Sequence, residues 1–320
     1  MLFRTIANNC LLVIFCGAVC LAGAACRRPV VQGGRAPAFE PAGSPFERTV
    51  VAGRIESAEI TESSGITASR CQENVLWTHN DSGDGPYIFA IDKSGKDRGV
   101  WRVDNADNRD WEDIASYRDS SGRCFLLIGD IGNSGEDMRK KLTIYRVAEP
   151  AVNDEAPKSF RRSPRPTEAA EVLTFSYPDQ PHDAETLMVH PASADIYIVT
   201  KQKNKAAGVY RLRSEFGGER LQADWIGELT VPAVPNGFVT GGEIAPDGSH
   251  VIICDYFAAY EFTLPARSSG FDEIWKQKPA VVELGDRRQG EAIAYSGDGN
   301  AVFATSEGTN GPLLRAARRQ

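Results

Sequence analysis

The sequence predicts an all-β chain folded as a five-bladed β-propeller of four-stranded blades, and three observations carry that prediction. A short phrase recurs as Ser64-Gly65-Ile66, Glu112-Asp113-Ile114, Glu185-Thr186-Leu187, Gly242-Glu243-Ile244 and Glu291-Ala292-Ile293. Its intervals are about 50, 70, 60 and 50 residues, the scale of a propeller blade. Each phrase opens a set of short apolar runs separated by turn residues, and helical periodicity is absent. The last set is one strand short, while a spare β-rich run, residues 49–55 (TVVAGRI), stands ahead of the first.

The blades follow in order. The first takes residues 65–69, 75–79 (VLWTH), 87–91 (YIFAI) and 99–103 (GVWRV). The second takes 114–117, 124–129 (CFLLIG), 142–147 (LTIYRV) and 171–176 (EVLTFS), its last two strands separated by a Pro- and Arg-rich insertion at 150–166. The third takes 186–189, 196–200 (IYIVT), 208–212 and 225–229. The fourth takes 243–245, 251–254, 259–263 and 280–284, and the fifth 292–295, 301–305 and 313–315. Second strands are nearly continuous apolar runs, as expected of strands packed on both faces. Pro246-Asp247-Gly248 and Gly297-Asp298-Gly299 supply tight reversals between first and second strands. Residues 49–55 are expected to complete the fifth blade, which leaves no open edge. A β-sandwich or barrel would not produce one phrase five times.

Residues 1–26 read as an export signal. Arg4 gives a positive start, residues 10–20 (CLLVIFCGAVC) are too short an apolar run to span a membrane, and small residues lead to Cys26. Ala22 and Ala24 fit ordinary cleavage, whereas Cys26 fits a lipoprotein acceptor, so a membrane would be met only through a lipid anchor. Residues 27–48 read as a flexible Pro/Gly-rich linker and residues 49–320 as the propeller domain, long enough for one large core. The expected setting is the cell envelope or the exterior, with the protein a monomer. A formal charge of −7 argues against nucleic acid as partner. Cys71 and Cys124 fall at the same turn of neighbouring blades and could pair in an oxidising compartment; unpaired buried thiols are the other reading.

In a propeller the start of each first strand and the end of each second strand emerge on one face. That places Glu112, Glu185 and Glu291 at the channel mouth, ringed by Asn80, Asp130, Asn133, His182, Glu243, Asp255 and Glu307. Carboxylates converging on one axis repel unless a cation or shared protons compensate. Ca²⁺ or Mg²⁺ held by Glu112, Glu185 and Glu291 is one expectation, because hard cations take carboxylate oxygens in loose geometry. The other is a structural lock, in which these side chains accept backbone N–H groups of neighbouring blades. His79 or Asp81 could act as base toward a metal-held water, and Lys201 could hold an anion.

The motifs around these acids, Asp110-Trp111-Glu112-Asp113-Ile114, Asp183-Ala184-Glu185-Thr186-Leu187, Thr240-Gly241-Gly242-Glu243 and Gln289-Gly290-Glu291-Ala292-Ile293-Ala294-Tyr295, together with the opening Ser-Gly-Ile, resemble the SdiA-regulated family of bacterial propellers. That family is distantly similar to NHL-type and esterase-like phytase propellers. The resemblance runs the length of the domain and implies a five-bladed propeller in the envelope with metal binding; it implies no enzymatic role. Residues 77–84 and 129–133 are more polar than that family's pattern and look like a related group of secreted bacterial propellers. Two functions are therefore expected side by side: an exported propeller that binds a small molecule, glycan or protein at an acidic funnel, and a metal-dependent hydrolase of a phosphoester, lactone or other ester at the same mouth.

Overall fold

The computed structural model describes residues 43–320 apart from 157, 203–204, 230, 232–237, 286 and 288. The expected signal with Arg4 and Cys26, and the linker up to residue 42, lie outside the described residues. Strand β1 (Val50–Arg54) comes first. Blade one follows with β2 (Ser63–Ala68), β3 (Leu76–Asn80), β4 (Tyr87–Ile91) and β5 (Asp97–Asp104). Blade two has β6 (Trp111–Arg118), β7 (Cys124–Asp130) and β8 (Leu142–Ala148); β9 (Arg165–Ala169) then crosses back to blade one before β10 (Glu171–Ser176) completes blade two. Blade three has β11 (Ala184–Val189), β12 (Ile196–Thr200) and β13 (Ala207–Leu212), then the short β14 (Leu221–Gln222), which joins blade two, and β15 (Asp224–Leu229). Blade four has β16 (Gly241–Ile244), β17 (His250–Cys254), β18 (Ala258–Thr263) and β19 (Ala280–Glu283). Blade five has β20 (Gly290–Tyr295), β21 (Ala301–Ser306) and β22 (Pro312–Ala317).

Each blade is an antiparallel four-stranded meander, and β1 is the fourth strand of blade five. It pairs antiparallel with β22, Val50 opposite Arg315 and Arg54 opposite Pro312. The closure reaches further back than expected. Phe46, inside the stretch read as linker, is fully buried and bridges to Arg318, whose guanidinium stacks 4.6 Å from the Phe46 ring. Arg318 also pairs with Glu261 at 2.5 Å, tying the closing edge to blade four.

The core is divided among the seams between blades. Among the described residues five apolar clusters form it; one joins Leu127 and Ile144 of blade two to Leu187 and Ile198 of blade three, and another joins Ile66 and Phe89 of blade one to Ala294 and Phe303 of blade five. This is why second strands such as β12 and β21 are apolar on both faces: each is sandwiched between two seams.

Two features depart from the sequence reading. The sequence assigns the insertion at 150–166 only a spacing task between neighbouring strands, yet its end leads into β9, which pairs in parallel with β5 through Trp101 and Arg165. Arg165 also stacks 4.9 Å from the Trp101 ring, so the insertion covers an edge. A short 3-10 helix, Phe271–Lys276, stands where no helix was expected, and it buries Ile274 and Trp275 against blades three and four. No helix among the described residues is long and apolar enough to cross a membrane.

Cys71 and Cys124 form a disulfide that staples blade one to blade two, and Cys254 remains a buried thiol. The bridge closes a loop with a sequence separation of 53. Chain-entropy arguments assign a loop of that size a stabilisation of about 4 kcal/mol. Cys71→Ser should therefore lower the free energy of unfolding by up to about that amount, read as a fall in urea midpoint that reductant reproduces in the unaltered protein.

Candidate functional site

The inner strands β2, β6, β11, β16 and β20 pack in a ring, each against the next, and line the channel. At one face the start of each inner strand is bonded to the chain leaving the second strand. Asp81 N–H donates to Glu62, Gly132 to Asp110, Lys201 to Asp183 and Glu307 to Gln289, while Thr240 donates to Cys254. This face is the mouth, and five equivalent openings converge on it.

The phrase that repeats in sequence is a register shift in structure. The ladder slips between Ser63 and Gly65, Trp111 and Asp113, Ala184 and Thr186, and Gly290 and Ile293. The extra residue is Ser64, Glu112 or Glu185 in the first three blades, and Glu291 lies within the slip of the fifth. A bulge re-aims the side chain at its kink. In blade four Gly241 to Ile244 pair without a slip.

The second residue of the phrase has a different task. Asp113 is fully enclosed; its carboxylate accepts the N–H of Ile114 at 2.8 Å and of Leu187, on the next blade, at 3.0 Å. Glu243 accepts the Tyr295 N–H at 2.5 Å, the Thr67 hydroxyl at 2.7 Å and Arg70 at 3.1 Å. The structural lock expected of Glu112, Glu185 and Glu291 is thus carried by Asp113 and Glu243. Glu243 is not a funnel residue; it lies buried inside the channel.

At the mouth, blades one to three bring five carboxylates together. One oxygen from each of Asp81, Asp110 and Glu112 lies within 4.8 Å of the others, and the same holds for Glu112, Asp183 and Glu185. Glu112 belongs to both sets. Gly132 passes so close to Asp110 and Glu112 that a side chain there would strike both. Oxygens on opposite sides of one Ca²⁺ at 2.3–2.6 Å would be about 5 Å apart, so the spacing suits an oxygen-coordinated cation. Lys201 reaches Glu185 at 2.8 Å and stands 5.6 Å from the Tyr256 ring centroid. Arg139, another nearby cation, is held by Asp130 at 2.6 Å.

Burial without enough positive charge raises the acids. Desolvation, then Glu185 and Asp81, holds Glu112 well above the usual carboxylate range. Burial lifts Asp110 to about 6, with Asp81 adding to it and Arg139 opposing. Glu185 is lifted to about 7 by burial despite Lys201. Glu291 stands apart from both sets; burial and then Glu307 push it to about 8.

Other expected site residues turn out to be fastenings. His79 is not a rim base: it is fully buried, its Nδ1 bonds the Asn80 carbonyl at 2.9 Å, and its ring meets Trp111 edge-on. Its Nε2 sits under Gly65, where an added Cβ would lie 2.6 Å away, and burial pulls the imidazole down to about 4. Asn80 accepts the N–H groups of Thr61 and Glu62 and donates to the Glu59 carbonyl. Asn133 accepts Arg139 N–H and donates to the Arg139 and His182 carbonyls. Asp255 accepts the N–H groups of Phe257 and Ala258 and the Tyr260 hydroxyl. His182 packs between Tyr177 and Tyr210, bonded to Asp179 at 2.9 Å, and Glu307 accepts Gln289 at 2.6 Å.

Asp110 and Asp183 were missed as site residues. Their signal is an Asp-x-Glu pair that occurs twice, at Asp110/Glu112 and Asp183/Glu185. In extended chain, residues two apart face one way, so each pair delivers two carboxylates together.

No protein-family model and no curated protein matches the chain. Among solved structures, a luciferin-regenerating enzyme is similar at 12% identity and TM-score 0.44, over 84% of this chain and 95% of that one. A chain of a nidogen/laminin complex is similar at 13% identity and TM-score 0.43, over 77% of this chain and 73% of that one. Neither likeness bears on the chemistry at the mouth.

The site sets a pH dependence for the metal-free protein. Asp110, Glu185 and Glu291 hold protons in the folded state that the unfolded chain has already released, so stability falls as pH rises from the ordinary carboxylate range to about 8. His79 acts oppositely. The unfolded imidazole takes up a proton below its ordinary 6.5 while the buried one does not until about 4, so this group's contribution falls as pH drops through that interval. Three acids outweigh one imidazole, so melting temperatures in EDTA should fall as pH rises from about 5 to about 8, and Glu112→Gln should make that fall shallower. The lock has its own signature. Asp113→Ala leaves buried N–H groups of two blades unpaired and should cost about 2–4 kcal/mol in urea unfolding.

Proposed function

We propose that this protein is an exported, envelope-associated binding propeller that holds a divalent cation, Ca²⁺ or Mg²⁺, at its channel mouth and captures its ligand there. The observation that carries the proposal is the meeting of Asp81, Asp110, Glu112, Asp183 and Glu185, with Lys201 bonded to Glu185 at their edge. An all-oxygen, all-carboxylate set suits hard cations and disfavours zinc or copper. Asp81 belongs in this reading as a ligand, Lys201 as the group that balances Glu185, and Glu291 as a neighbour. Export is supported by the N-terminal signal pattern and by the Cys71–Cys124 disulfide, which persists in oxidising compartments. On its blade motifs we also assign the chain to the SdiA-regulated propellers.

A second reading, hydrolysis of a phosphoester, lactone or other ester, draws on Glu291. A carboxyl pushed to about 8 stays largely protonated at neutral pH and could protonate a leaving group beside the cation. The site residues would hold the metal, which would supply Lewis acidity when bound.

Thermal unfolding of the intact protein in EDTA, then with Ca²⁺, Mg²⁺ or Mn²⁺, tests the proposal. An ion at a hundred times its dissociation constant should add about 2.7 kcal/mol to folding stability. Asp110→Asn and Glu112→Gln should abolish the shift, while Glu291→Gln should keep it. No shift with any ion, or loss of the shift in Glu291→Gln alone, would overturn the assignment. Turnover in an esterase and phosphatase screen that needs both the ion and Glu291 would select the second reading.

A further inference from the structure

The face opposite the mouth has a cavity of about 450 Å³ between blades three and four. It is bounded by the turn joining β11 to β12, by Arg211 near the end of β13, and by the 3-10 helix with Ser269 and Gly270 leading into it. Its polar groups are fixed in advance. The Tyr197 hydroxyl donates to Asp272 at 2.6 Å, and Arg211 donates to the other Asp272 oxygen at 2.8 Å. The Ser193 hydroxyl donates to Asp195 at 3.0 Å, and its backbone N–H to His190 Nδ1 at 3.2 Å. Phe271 supplies an apolar wall, its ring 4.5 Å from His190 and 5.2 Å from Tyr197. At Gly270 the wall is open: an added Cβ would meet nothing within 4 Å.

We propose that this cleft binds a saccharide, seating one neutral hexopyranose ring on Phe271 with its hydroxyls on Asp195, Arg211 and Asp272. A pyranose ring has an apolar C–H face and a rim of hydroxyls that both donate and accept. The cleft offers the matching parts: an aromatic face, carboxylates that only accept, and a guanidinium that only donates. Its volume lies within the 300–1,000 Å³ typical of small-ligand sites. Other ligand classes fit less well. A purely apolar ligand would strip water from Asp195 and Asp272 without replacing their bonds. A phosphate would face Asp195, Asp272 and Glu273 with the help of Arg211, which Asp224 already shares at 3.3 Å.

The test uses the intact protein, with saturation-transfer NMR and calorimetry. The probes are methyl glycosides of glucose, galactose, mannose and N-acetylglucosamine, with glucosamine and spermidine as amine controls. At least one neutral glycoside should bind saturably, with transfer strongest at its ring C–H protons. Asp195→Asn and Phe271→Leu should each weaken binding tenfold or more. The cation response of the mouth should be unchanged in Asp195→Asn, a near-isosteric change at a half-buried position between β11 and β12 that keeps the test valid if Phe271→Leu folds poorly. Absence of saturable binding by every glycoside at tens of millimolar, binding by the amines alone, or undiminished affinity in Asp195→Asn would overturn the proposal.

Discussion

Closure of the ring by pairing β1 with β22 is the interaction on which the rest of the molecule depends. Five wedge-like sheets share their core along seams, so each blade is half-finished without two neighbours. The seam between blades five and one, where Ile55 and Ile60 meet Phe303 and Leu313, exists only if the N-terminal strand crosses to the far end of the chain. Arg318 then reaches from that edge to Glu261 of blade four and over the ring of Phe46. Until that closure forms, the channel has no axis and the acids of separate blades have no reason to meet.

Within the channel, adjacent positions on the inner strands divide the work. In blade two the bulged Glu112 joins the acids of the mouth, whereas the next residue, Asp113, turns inward and takes an N–H group from another blade, as Glu243 does in the unbulged blade four. A carboxylate satisfied by backbone donors is a fastening that needs no ion. A carboxylate beside four others lacks such donors, and burial removes the water that would otherwise screen it. The same residue type thus serves as lock or as candidate ligand according to one step in register. Gly242 takes the corresponding place in blade four, where the ladder has no slip.

The two ends of the propeller differ in chemistry. At the mouth, acids at the starts of neighbouring inner strands meet. At the opposite face the cleft of blades three and four is walled by turns and by one short 3-10 helix. Polar groups there are paired donor to acceptor, as with Arg211 and Asp272, instead of being gathered with one sign of charge.

Much of the fold was legible in the sequence because it is local and repeated. The five phrases, the apolar second strands and the missing final strand each follow from strand periodicity, and the spare run at 49–55 resolved the closure. The acids Glu112 and Glu185 were legible as a pair for the same reason. What only the tertiary structure decided is where side chains meet across blades. Asp-x-Glu pairs at Asp110 and Asp183 are 73 residues apart in the chain, and their union with Asp81 depends on how neighbouring sheets abut. His79 reads as a polar strand end, but Gly65 lets blades one and two close over it, and burial removes it from the mouth. The pairing of Cys71 with Cys124 likewise awaited the distance between two turns, which no spacing along the chain expresses. Periodicity along one strand is written in the residues of that strand; convergence between strands is set by the packing of all five blades.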